Sequence, residues 1–201
     1  MAKERVAETK RDVIVECALR LILKKGYDGT TVDDVAALAG VSKGLVSYHF
    51  TKKEALFRAV LVKILAKLES DLESVHRRDL PAQERLRLYF KNLFESDERT
   101  SAYYMVLVDF LAQAPREPSV REYTQIIYQT ILRYVEMTIR DGIEAGEFRA
   151  VDVKMAASAV VALTEGFVFQ HLYNPDGINL AQAYVLSDAL LTEYLIHEPA
   201  G

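Results

Sequence analysis

Lys43, Tyr48, His49 and Lys53 bring ammonium, phenol and imidazole groups into one short stretch, and Thr31, Ser42 and Ser47 add hydroxyls beside them. Groups of this kind, spread over residues 30–53 (TTVDDVAALAGVSKGLVSYHFTKK), suit hydrogen bonding to the phosphates and base edges of a nucleic acid better than they suit bond-making. The patterns that do make bonds are missing. The sequence has no P-loop, no H-E-x-x-H zinc pair and no G-x-S-x-G nucleophile turn. One E-x-x-H occurs, Glu73 to His76, but a di-iron bundle site needs a second such pair and two further inward carboxylates, so it reads as a helix end in solvent. Glu193 and His197, four apart, read as a surface pair. The expectation is a chain that is not an enzyme, with no cofactor and no metal site.

Two short helices across one sharp turn must position those groups. Thr31 is a good N-cap with Asp34 three residues on, and Val32, Val35, Ala36 and Ala39 follow on one face. Gly40 falls where the backbone reverses, because positive φ costs a residue without Cβ little. Ser42 caps the second helix, whose Val46 and Phe50 point inward and leave Lys43, Gly44, Leu45, Ser47, Tyr48 and His49 on outward sides. A second helix with a free outer face is the element that a helix-turn-helix lays in a DNA major groove. Ser42, Lys43, Leu45 and Ser47 are then placed for base edges, Lys43 toward guanine acceptors and Leu45 toward a thymine methyl. Tyr48, His49 and Lys53, with Thr31 at the first cap, are placed for phosphate.

The run GVSKGLVSYHFTKKEALF, with GYDGTTVDDVA before it, resembles the DNA-binding signature of the tetracycline-repressor (TetR) family of transcriptional regulators. Leu45 and Ser47 stand where the commonest members carry Thr and Tyr, at positions that vary with operator sequence. The resemblance implies a homodimer on a palindromic operator in double-stranded DNA, and last helices that pair with their copies in a four-helix bundle. It also implies a ligand cavity in the larger domain, whose occupant tilts the long connecting helix. A repressor responsive to a small hydrophobic or amphipathic effector is the expected function. Two alternatives stay open: a helical regulator governed by a protein partner, and a ligand-binding protein or enzyme that keeps the fold without operator binding.

With 201 residues, half of them hydrophobic and 27% charged, the chain can bury a substantial core. Its one cysteine, Cys17, excludes an internal disulfide and reads as a small apolar residue on a buried face. The N-terminus has no apolar run after its charges and no stretch reaches the roughly 20 apolar residues of a membrane span, so no membrane and a cytoplasmic location are expected. The net charge of −4 is unevenly distributed: residues 1–58 hold 11 Lys and Arg against 8 Asp and Glu, net +3, which leaves net −7 for the rest. Only the N-terminal part has the sign that a DNA backbone attracts.

The remaining periodicity is helical throughout, so the fold class is all-α. Residues 1–52 read as a three-helix DNA-binding domain with a helix-turn-helix, and residues 53–201 as a larger helical ligand-binding and dimerisation domain. A first helix from about residue 9 is ended by Gly26 as a left-handed C-cap. Thr51 to Glu54 read as a capping box that opens a long helix over 52–75, and Pro81 starts another. Further helices are expected over 100–113, 120–145, 153–172 and 180–197, with a loop at 114–118. The helix over 153–172, with Glu165 its one acid, reads as buried nearly all round. Helical facing gives Phe90, Phe94, Tyr104, Asp109, Tyr128, Ile131, Glu165 and Phe169 as candidates to line the ligand cavity.

Overall fold

The structure, a computed structural model, describes residues 9–77, 79–94, 106, 108, 110, 118–174 and 176–196. Among them every regular element is an α-helix, as expected: α1 (Lys10–Lys25), α2 (Val32–Ala39), α3 (Lys43–His49), α4 (Lys53–His76), α5 (Ala82–Phe94), α6 (Pro118–Glu144), α7 (Val153–Tyr173) and α8 (Leu180–Ile196). The chain packs as two units. One takes in Met1–Ala66 and Ala102–Thr124, the other Lys67–Ser101 and Gln125–Gly201.

The first unit is built on α1. Thr9 and Asp12 cap it reciprocally, and Ile14, Val15, Cys17, Ala18, Leu19 and Ile22 are buried. The buried face is wide because α1 packs on both α2 and α3. Gly26 does stop the helix, its N–H donating to the Ile22 carbonyl at 2.8 Å, but at φ 74 and ψ 172 it is not in the left-handed helical region. The chain leaves through a turn over residues 26–29, closed by Thr30 N–H donating to the Tyr27 carbonyl at 3.2 Å, and Tyr27 lies on Phe57 at 4.2 Å and toward Phe110 at 5.9 Å. Thr31 and Asp34 form the expected capping box on α2, and Gly40 ends it at φ 64 and ψ 34, the left-handed conformation that a residue without Cβ adopts cheaply. Leu56, Phe57, Val60 and Leu61 on α4 complete this core. That helix opens one residue later than expected, with the Lys52 carbonyl accepting from Ala55 at 3.1 Å.

In the second unit α5 packs on α7 and α8, and α7 packs on α8. Pro81 lies just before α5 rather than in its first turn, and its carbonyl accepts from Arg85 N–H at 3.0 Å. α6 begins at Pro118, where a missing N–H costs nothing, so the last residue of the expected loop belongs to the helix. Residues 114–117 lie outside the described residues, as does the expected helix over 100–113 apart from the helical Val106, Val108 and Phe110. Asp152 caps α7 by accepting from Met155 N–H at 3.0 Å.

Two readings of this unit are corrected. α7 is buried on one face only, through Ala156, Ala157, Val160, Val161, Thr164, Phe167 and Val168, while Met155, Ser158, Ala159 and Ala162 are exposed. Among the described residues none covers that second face. By length and composition alone α7 could also cross a membrane, but its buried face is packed on α5 and α8. Nor does His76 end α4 in solvent: its Nδ1 lies 3.2 Å from Nη1 of the buried Arg85, which also donates to Asp141 at 2.8 Å, and its ring meets Tyr134. Arginine only donates, so His76 Nδ1 accepts and its proton sits on Nε2.

Candidate functional site

The outward side of α3 is built from short-range bonds. Ser42 accepts from Leu45 N–H at 3.1 Å, and Val46 and Phe50 are buried beneath. A helix of seven residues anchored by so few apolar contacts is held by its caps and by α2 across the turn. Lys43, Gly44, Ser47 and Tyr48 are exposed, Tyr48 to 81%, and Leu45 and His49 are half-buried. Thr31 is exposed at the start of α2, and the hydroxyls of Thr31 and Ser42 already have a task. The Thr31 hydroxyl donates to Asp34 at 2.6 Å and accepts from Asp34 N–H, and Ser42 is the cap of α3.

The cations of this surface are held in place. Lys25 bonds Asp34 at 2.6 Å, and with the Thr31 cap it brings the Asp34 carboxyl down to about 2. Lys43 pairs with Asp33 at 2.9 Å. Lys53 places its ammonium over the rings of Tyr27 and Phe57, at 4.8 and 5.2 Å, with the Asp28 carbonyl 3.4 Å away. That cradle keeps the charge at the start of α4, and sequence reading did not foresee it because Tyr27 lies far from Lys53 along the chain.

In the second unit, four of the cavity candidates, Phe90, Phe94, Tyr128 and Glu165, draw together with three residues that sequence reading did not pick, Tyr89, Thr164 and Phe167. The Tyr128 phenol on α6 donates to the Glu165 carboxylate on α7, and Tyr89 on α5 meets the Thr164 hydroxyl one residue away. Phe90 stacks on Phe94 at 6.4 Å, and Phe94 meets Phe167 edge-on at the same distance. Burial raises the Glu165 carboxyl above its ordinary value, against the lowering effect of Tyr128. Burial, and then the nearby carboxylate, push the Tyr128 phenol up, and burial lifts that of Tyr89 to about 12. A half-buried acid between tyrosines is suited to receive a cation, through the carboxylate and through ring faces. Phe169 instead stacks on Tyr173 at 6.3 Å, and Ile131 is half-buried on α6. Tyr104 and Asp109 lie outside the described residues.

Tyr89 also lines a cavity of about 20 Å³ with His76, Arg85 and Tyr134. That volume admits one water, and among the described residues the buried Arg85 Nε has no partner.

Known protein families match the chain in two stretches. Residues 14–60 match the family described as bacterial regulatory proteins, tetR family, and residues 82–196 match the BetI-type transcriptional repressor C-terminal family. The HTH-type transcriptional regulator BetI of Rhizobium meliloti is 26% identical over 196 residues, covering 88% of this chain and 97% of its own. The HTH-type transcriptional regulator YhgD of Bacillus subtilis is 27% identical over 161 residues, covering 80% of this chain and 83% of its own. Among solved structures, a transcriptional regulator from Saccharomonospora viridis in complex with choline superposes with a TM-score of 0.86 at 23% identity, covering 94% of this chain and 98% of its own. At that identity the likeness speaks to the fold.

Proposed function

The chain belongs to the TetR family of transcriptional regulators, and from that premise we propose that it is a dimeric repressor whose hold on an inverted-repeat operator is released by a small organic cation. The observation that carries the effector reading is Glu165, a half-buried carboxylate beside Tyr128 with Tyr89, Phe90, Phe94 and Phe167 on the neighbouring turns. An amphipathic cation with methyl groups on nitrogen matches both parts of such a site, and choline in the Saccharomonospora viridis structure is one such molecule. The space near Tyr89 is too small for it, so the effector enters by parting side chains of α5, α6 and α7. That movement gives binding a differential affinity for two conformations, the physical requirement for a switch.

Dimerisation is supported by what the single chain leaves bare. Met155 and Tyr173 on α7, and Val185, Leu186, Leu190 and Tyr194 on α8, are exposed apolar side chains, and an open groove of about 800 Å³ runs along Ile178, Ala181, Val185, Leu186 and Ala189. An apolar face of this size needs cover, and a two-fold partner presents the same face in return.

The effector reading is tested by melting the full chain with choline and with its uncharged isostere 3,3-dimethylbutanol. Choline is expected to raise the melting temperature and the isostere is not, and Glu165→Gln should abolish the choline shift. A carboxyl raised by burial favours its neutral form, so wild type carries a destabilising charge that grows as pH rises past the unfolded value of 4.5. Glu165→Gln should therefore melt higher than wild type near neutral pH, with the gap closing below pH 4.5. Choline affinity of wild type should rise with pH over the same range. Equal shifts from choline and the isostere, unaffected by Glu165→Gln, would remove Glu165 from the site.

A further inference from the structure

Asp33 and Lys43 form an ion pair that the fold does not need. The other acid at the start of α2, Asp34, accepts from the Thr31 backbone and hydroxyl and from Lys25, so it serves the helix cap and fixes α1 to α2. Glu16 on α1 holds Lys63 of α4 at 2.7 Å and so ties two core helices together. Arg11 lies over the buried Phe50 ring and Lys53 over Tyr27 and Phe57. Asp33 takes no part in the cap. Its carboxylate reaches across the turn to the Lys43 ammonium at 2.9 Å, and about two thirds of each side chain is open to solvent. An exposed pair of flexible side chains adds almost nothing to stability.

On a surface that meets DNA, such a carboxylate is also unfavourable in itself, since it repels the phosphates that supply most of the affinity. What it does is restrict Lys43. An unrestrained lysine at the start of α3 reaches any phosphate within the length of its stem, which strengthens binding to every sequence alike. With one N–H engaged by Asp33, the ammonium keeps two donors, and these match the O6 and N7 acceptors that only guanine sets side by side in the major groove. A phosphate approaching the same place meets the carboxylate first. The pair therefore combines an attractive element for one base with a repulsive element against the backbone.

We propose that Asp33 is a specificity-determining residue that acts through Lys43, lowering affinity for DNA in general in order to raise discrimination among sequences. The inference rests on the DNA-reading role proposed above. Its test uses the full-length chain, the best duplex recovered by wild type from a random-sequence library, and a scrambled duplex of equal composition, each over a salt series. Asp33→Asn should tighten binding to the scrambled duplex by about three- to tenfold and to the selected duplex by less, so that the ratio of the two falls. The salt slope on the scrambled duplex should steepen by about one as the ammonium finds a phosphate. Asp33→Glu, which keeps a carboxylate, should restore the ratio, and Asp33→Asn added to Lys43→Gln should change nothing further. Melting temperatures should be equal throughout. If Asp33→Asn leaves ratio and slope unchanged on a duplex that wild type has enriched, the inference is overturned while DNA reading stands. If wild type enriches no duplex, both fall.

Discussion

Lys53 and the residues of α3 illustrate how differently two side chains on one surface are constrained. The Lys53 ammonium is held over two rings at the start of α4, where its position is fixed whatever the base sequence, whereas the side chains of Leu45 and Ser47 on α3 make no hydrogen bond or ion pair among the described residues. Lys53→Ala should weaken binding to all duplexes alike and reduce the salt slope by about one. Leu45→Ala or Ser47→Ala should instead alter which bases are tolerated, at about 1–3 kcal/mol per lost contact. Binding of each variant over a salt series, on selected and scrambled duplexes, separates the two. A change of base preference in Lys53→Ala and none in the α3 variants would mean that α3 does not face the bases. At this scale the sequence was informative where chemistry is local: Thr31, Asp34 and Ser42 do what cap residues do three positions from their partners. It was silent on Lys53 over Tyr27 and on His76 against Arg85, because those pairs form only when separate helices pack.

Two glycines show what fixes the helix ends and crossings. At Gly40 the positive φ of 64 is the whole constraint, since a Cβ there would meet nothing within 4 Å. Gly40→Ala should therefore cost roughly 1–2 kcal/mol, the strain of left-handed backbone on an L-residue. Gly142 lies inside α6, where alanine is intrinsically better by about 1 kcal/mol. Its added Cβ would fall within 2.2 Å of the Phe148 ring and 2.9 Å of Ala82, a collision between packed groups that cannot both yield. Gly142→Ala should lose that gain and about 1–3 kcal/mol more. Urea unfolding of both variants checks the ordering; a more stable Gly142→Ala would mean that Phe148 swings away freely. Gly40 was legible because a turn needs it, and Gly142 was not, because periodicity does not reveal which residue arrives from outside the helix. The same limit applies to α7 and α8. Their apolar content was evident, yet α8 buries Ala183, Ser187, Leu191 and Leu195 while the equally apolar Leu186, Leu190 and Tyr194 are exposed.

At the scale of the whole molecule those uncovered faces are what supports the proposed dimer. Sedimentation at micromolar concentration should give twice the chain mass. Ala159, exposed on the bare face of α7, is small enough for close approach of a second helix, so Ala159→Glu should yield monomers of unchanged helicity. A variant that stays dimeric would place the interface elsewhere. The all-helical class and the family were legible from residues 30–57 and from helical periodicity, since a short helix-turn-helix depends on few, closely spaced residues. The composition of the proposed effector site was only partly so, because Tyr89 and Thr164 join it through packing of α5 on α7.

A two-fold dimer that reads specific DNA is the central proposal. The direct measurement is selection of duplexes from a random library by the full-length chain, followed by the mass of the complex on the winner. An inverted repeat should emerge, with half-sites one helical turn, about 34–36 Å, or a multiple of it apart. The complex should contain an even number of chains, and binding should be at least about a thousandfold tighter than to scrambled DNA. Enrichment of no sequence, or of a single half-site bound by one chain, would contradict it.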